Sequence, residues 1–236
     1  MQKDDLINTL TATIHNFTDR IKAIENMASQ EAIQSLASNW NDELEKIKTK
    51  KPLTSTKIDS VDNLFKYYAD KFAEDDIKFN LVVNGSIIYM VDNIIKAGAL
   101  ETLIVNHLND AHIAINSAEN TFRSIAVIIG VNDIENCYEF TVFDGGIPFE
   151  VDTLERLGSE RVTTHADSGG SGIGFETTFE IIREIGASLV INEREPTMAY
   201  YSKSVSICFD RKGEYRIETY RMDSFPPSDR YIVTPR

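Results

Sequence analysis

The chain has 236 residues, 42% of them hydrophobic, and a formal net charge of −13 from 24 Lys+Arg against 37 Asp+Glu. That length holds one large domain or two small ones with a real core, and the acidic balance speaks against a nucleic-acid or anionic-membrane surface, since either needs a basic face. No signal peptide opens the sequence and no run approaches the ~18 apolar residues of a membrane span, so a soluble cytoplasmic chain is expected, including as the cytosolic end of a longer protein. Cys137 and Cys208 lie in apolar strand-like runs, as buried thiols of a reducing compartment do.

From the N-terminus, Ile7, Leu10, Ile14, Phe17, Ile21, Ile24 and Ala28 recur at spacings of 3, 4, 3, 4, 3 and 4, a heptad seam on a long helix. Ile33, Leu36, Trp40, Leu44 and Ile47 form a second run, with Ser29-Gln30-Glu31 as turn and N-cap between them. Two such helices make a hairpin whose seam is too exposed to stand alone. A second copy would cover it as a four-helix bundle, so a homodimer held by residues 1–50 is expected. His15 flanks the seam beside Ile14 and by itself reads as a solvated surface histidine. The polar stretch 48–56, with Pro52, breaks both periodicities and marks a domain boundary.

A helix over 60–73 follows, with Val61, Leu64, Tyr67, Tyr68 and Phe72 on one side. Residues 78–83 and 86–91 read as two short strands split by the hairpin signal Asn84-Gly85. Residues 98–116 are helical, and their polar members Asn106 and Asp110 share one face. Strands over 124–131 and 137–143 lead into Asp144-Gly145-Gly146-Ile147-Pro148. The chain is then polar and irregular from 149 to 168, with Thr163-Thr164-His165 near its end, a length typical of a lid.

Next comes Asp167-Ser168-Gly169-Gly170-Ser171-Gly172-Ile173-Gly174-Phe175, with an apolar-periodic run to Ile185 directly behind it. Glycines let backbone N–H groups converge without a Cβ in the way, and a following helix N-terminus adds unpaired donors and a positive dipole end. Together they make a phosphate cradle. A helix over 173–185 and strands over 187–192, 202–209 and 214–220 complete the pattern, and the ending from Phe225 reads as a loose tail.

Three motifs thus stand in order: Asn106-His107-Leu108-Asn109-Asp110-Ala111 on a helix, Asp144-Gly145-Gly146 after a strand, and Gly170-Ser171-Gly172-Ile173-Gly174 before a helix. Each alone is weak, but their order and placement carry a resemblance. Over residues 60 to 220 the chain resembles the GHKL superfamily of ATP-binding domains, shared by sensor histidine kinases, gyrase-type and chaperone ATPases and mismatch-repair proteins. The three motifs match its N box and its first and second glycine boxes. The resemblance implies an α+β protein: a helical hairpin over 1–50, a GHKL (Bergerat-type) α/β sandwich over 57–222 and a tail over 223–236.

It also implies roles. Asp144 would accept from the adenine amino group, and Gly146 would let the base pass close to the backbone. Asn106 and Asp110 would face the phosphates and hold Mg²⁺, while Gly170, Gly172 and Gly174 would contact phosphates under a lid carrying Thr163 and Thr164. Hydrolytic members carry a glutamate general base four residues before the Mg²⁺-binding residue. Asn106 stands there, and an amide cannot take a proton from water, so transfer to a side chain, His15, is expected with ATP and Mg²⁺ as cofactors and a response regulator as partner. Departures from the family pattern are Asp110 in place of an asparagine, Pro148 in place of a glycine, and Asn16 in place of an acid after His15. These motivate two alternatives: an ATP-binding pseudokinase that signals as a dimer, and a GHKL ATPase.

Overall fold

The computed structural model of the protein describes residues 54–118, 123–158, 173–195 and 201–236. The helical hairpin with His15 lies outside the described residues, as do Thr163, Thr164, His165, Gly170 and Gly172. In chain order the elements are α1 (Asp59–Glu74), β1 (Lys78–Asn84), α2 (Ile87–Asn93), α3 (Ala97–Asn116), β2 (Ser124–Asn132), β3 (Cys137–Asp144) and α4 (Val151–Arg156). Then come α5 (Ile173–Ile185), β4 (Ser188–Glu193), β5 (Lys203–Cys208), β6 (Tyr215–Thr219), a 3₁₀ turn (Met222–Ser224) and β7 (Ile232–Pro235). The fold is an α+β sandwich on one seven-stranded sheet of order β1-β2-β3-β5-β4-β6-β7.

Alternate residues of the strands supply the core. Ile125, Val127 and Ile129 of β2, Phe140 and Val142 of β3, Val205 and Ile207 of β5, and Leu189 and Ile191 of β4 share one cluster with Phe65 and Phe72 of α1, Leu103, Ile104 and Leu108 of α3, and Phe179 and Ile182 of α5. The period-2 alternation therefore aims one face of the sheet at the helices. Each such side chain contributes roughly 1.5–3 kcal/mol on burial. Cys208 is buried and Cys137 half-buried, both as free thiols, and burial pushes the Cys208 thiol up to about 12.

Three expectations are corrected. The stretch 149–168 is not irregular throughout, since residues 151–156 form α4 with Thr153 and Leu154 buried. Residues 86–91 are not a strand: Ser86 caps α2, its Oγ accepting from Tyr89 N at 3.2 Å. Ile87 and Met90 are buried while Ile88 and Tyr89 are exposed, the i, i+3 spacing of a helix and not the i, i+2 spacing of a strand. Asn84-Gly85 is consequently no hairpin turn. β1 runs parallel to β2, a pairing that needs a crossover, and α2 with α3 provides it.

The ending is not a loose tail either. β7 pairs in parallel with β6, Val233 opposite Ile217. Tyr231 is buried against Tyr215, ring centroids 6.2 Å apart. Arg230 donates to the carbonyls of Glu155 and Leu157 at 2.8 and 2.7 Å. Pro226-Pro227 signals a loop, but the β-favouring run 231–234 behind it forms an edge strand, where a proline at 235 is tolerated. Among the described residues no helix is long and apolar enough to cross a membrane.

Candidate nucleotide site

The site forms where the last row of the sheet meets α3. At twenty residues α3 is long enough to carry Asn106, Asp110 and Ala114 at successive turns of one side. Asn106 Nδ2 donates to Gly174 O at 2.9 Å, tying this helix to the start of α5. With the amide nitrogen so used, Oδ1 is the acceptor end of the side chain. Asp110 Oδ2 is buried and has no hydrogen-bond partner among the described residues. Burial raises the Asp110 carboxyl to about 7; Asp144 pushes it the same way and Lys203 opposes.

Asp144 ends β3 and is 3% exposed. Its Oδ1 accepts from Gly146 N at 2.9 Å and from Lys203 Nζ at 2.8 Å. Burial raises its carboxyl, and Lys203 offsets part of that. Gly146 is held against α3: Ile147 N donates to Ala114 O at 3.2 Å, one of the carbonyls a helix end leaves without an internal partner. Ser202 Oγ donates to Gly146 O at 2.6 Å from the other side.

A Cβ on Gly146 would fall 2.5 Å from the Ala114 carbonyl carbon and 2.6 Å from its Cβ. Neither neighbour is a flexible side chain that could yield. Gly146→Ala is therefore expected to lower stability by about 1–3 kcal/mol and to lift the loop from α3. Urea unfolding measures this, and a midpoint equal to wild type would show that the loop does not rest on the helix.

Lys203 and Glu193 were not singled out by sequence reasoning. Asp144, Lys203 and Glu193 are direct cross-strand partners on β3, β5 and β4, so they form one charged row across three strands. Glu193 is fully buried and fully partnered: Oε1 accepts from Phe149 N at 3.0 Å, and Oε2 accepts from Thr219 Oγ1 at 3.0 Å and from Arg221 Nη2 at 2.5 Å. Arg221 in turn donates to Phe149 O at 2.7 Å. This network clamps both backbone groups of Phe149, just past the Asp144 loop. With Glu193 committed to Arg221, Lys203 serves Asp144 and Ile147 O, the latter at 2.6 Å. The signal for both was their phase: Lys203 alternates with Val205 and Ile207, and Glu193 with Leu189 and Ile191, so each charge sits at a core-facing position.

The histidines of α3 have structural roles. His107 is buried, its Nε2 3.3 Å from Thr178 Oγ1, its ring packed on Phe140 and Phe175. Burial lowers it to about 4. His112 Nε2 lies 2.5 Å from Asp75 Oδ2 at the end of α1.

Neither a family model nor a curated protein sequence matches the chain. Similar solved structures include the mycobacterial sensor histidine kinase MprB, at 14% identity over 64% of this chain and 92% of that one, with a TM-score of 0.45. The catalytic domain of histidine kinase ThkA is similar at 15% identity over 67% of this chain and 94% of that one, TM-score 0.45. Histidine kinase AdeS of Acinetobacter baumannii is similar at 12% identity over 85% of this chain and 95% of that one, TM-score 0.44.

Proposed function

We propose that the chain is the ATP-binding and phosphotransfer portion of a histidine kinase, moving the γ-phosphoryl group of ATP to His15 and from there to an aspartate of a response regulator. The observation that supports this best is the convergence of motifs far apart in sequence: Asn106 bonds Gly174, and Gly146 rests on Ala114, two turns along the same helix. The donor chemistry fits the ligands. A buried carboxylate oxygen without a partner, Asp110 Oδ2, and the amide oxygen of Asn106 are hard donors of the kind Mg²⁺ takes. When bound there, Mg²⁺ would neutralise phosphate charge.

Thr163, Thr164, Gly170 and Gly172 are assigned to the lid and phosphate contacts by resemblance. Asn106 disfavours hydrolysis, because an amide is no general base.

Incubation with γ-labelled ATP tests the reading. Acid-labile label is expected on the wild-type protein and on His165→Gln, and none on His15→Gln. Label lost only in His165→Gln would move the acceptor to the lid. A second reading, a dimeric ATP-binding pseudokinase, is favoured by one observation: Asp110 and Asp144 bring two carboxylates to a site with one buried ammonium, Lys203. ATP binding with no label in any variant would select it.

A further inference from the structure

We propose that Lys203 reads the nucleobase: its ammonium donates to the N1 nitrogen of an adenine ring whose amino group donates to Asp144 Oδ2. This rests on the nucleotide site proposed above and names a specificity residue within it. The argument begins with the hydrogen bonds that Asp144 and Lys203 make. A lysine ammonium has three donors and no acceptor. In Lys203, which is 5% exposed, one goes to Asp144 Oδ1 at 2.8 Å and one to Ile147 O at 2.6 Å. The third meets no oxygen among the described residues; the nearest group of note is the Phe149 ring, 5.1 Å from Nζ.

On Asp144, both described bonds, from Gly146 N and Lys203 Nζ, fall on Oδ1, and Oδ2 accepts from no described residue. These two open positions stand side by side, because Asp144 and Lys203 are direct partners across β3 and β5.

An adjacent acceptor and donor match the edge of adenine, whose amino group donates while its N1 accepts. The corresponding edge of guanine or hypoxanthine has the opposite polarity, an O6 acceptor beside an N1–H donor. In the register that places the base amino group on Asp144, O6 would meet the carboxylate and N1–H the ammonium, two repulsive contacts. The pair would therefore select for adenine as well as bind it. Simple charge compensation does not account for the arrangement, since a buried ion pair adds little stability over apolar residues of the same shape.

The test compares ADP with 1-deaza-ADP, in which a C–H replaces N1, by calorimetry on the full chain with Mg²⁺. Wild type is expected to bind the analogue about tenfold or more weakly, the loss of one charge-assisted hydrogen bond. Lys203→Met is expected to weaken ADP by a similar factor and to bind both nucleotides alike. The wild-type comparison needs no variant to fold, and the doubly neutral Asp144→Asn/Lys203→Met chain serves as a second background, in which the two nucleotides should again bind alike. Equal wild-type affinity for the two would overturn base reading by Lys203 while leaving the nucleotide site standing. Tighter ADP binding by Lys203→Met would also overturn it, making the lysine a plug. No ADP binding to wild type at all would overturn the site and the inference together.

Discussion

Asp144→Asn is expected to cost about 3–5 kcal/mol of folding stability, beyond any loss of nucleotide. The reason is Lys203. The two side chains are each 4% exposed and their charged atoms are 2.8 Å apart. Removing the carboxylate charge leaves a buried ammonium with only Ile147 O and an amide oxygen as acceptors. At the nucleotide site proposed above, the amide would also replace a charged acceptor for the base amino group by a neutral, reversible one, a loss of about 1.5–3 kcal/mol of affinity. The two effects separate in the double variant. Asp144→Asn/Lys203→Met removes both charges and should regain most of the stability, because a buried pair replaced by neutral groups of similar volume is close to neutral. Its nucleotide affinity should stay low. Urea unfolding and calorimetry on the three chains measure the two quantities. A single variant as stable as wild type would mean that the pair is not buried in solution. A double variant with wild-type affinity would remove Asp144 from the site.

That coupling also shows where the sequence was readable and where it was not. The helix α3 and its Asn106–Asp110 face were legible, because a 3.6-residue apolar period ran uninterrupted for five turns. The strands β2 and β3 were legible for the matching period-2 reason, and the Asp144-Gly-Gly turn stood out at the end of one of them. Residues 86–91 were not, since Ile-Ile-Tyr-Met-Val is apolar at every position and carries neither period. What decided them was Ser86 as a cap and the demand of a parallel β1–β2 pair for a crossover, the second a tertiary fact. The ending was misread because Pro226-Pro227 is a strong local loop signal, whereas β7 is held by pairing with β6 far from any local cue.

Lys203 and Glu193 are a different case. Their phase placed each charge on a core face, a signal present in the sequence, but only the sheet order β3-β5-β4 joins them to Asp144 in one row. The partners of a buried charge come from non-consecutive strands, and strand order is not local information.

Asp110→Asn is expected to make the nucleotide-free protein more stable, and increasingly so as the pH rises from 4 to 8. In the folded chain burial lifts the Asp110 carboxyl to about 7, with Asp144 adding to the lift and Lys203 opposing it. In the unfolded chain it returns to about 3.9. Between these values the native state holds a proton that the unfolded state has released. Stability from this group is therefore fully present below pH ~4 and is lost as pH rises through 7, by up to about 4 kcal/mol. An asparagine keeps the shape and never carries the charge, so the variant should pull ahead of wild type through this window and level off above it. His107 works in the opposite direction. Burial holds it at about 4, against an unfolded value near 6.5, so its stability is present above pH ~6.5 and is lost as pH falls toward 4. Between pH 4 and 7 the two slopes oppose each other, and Asp110→Asn removes one of them, so the stability of the variant should fall more steeply on acidification than that of wild type. Urea unfolding of both chains at half-unit steps from pH 4.5 to 8 reads the difference directly. A difference between them that does not change with pH would mean that Asp110 is ionised in the folded protein throughout, and that its carboxylate has found a partner in solution.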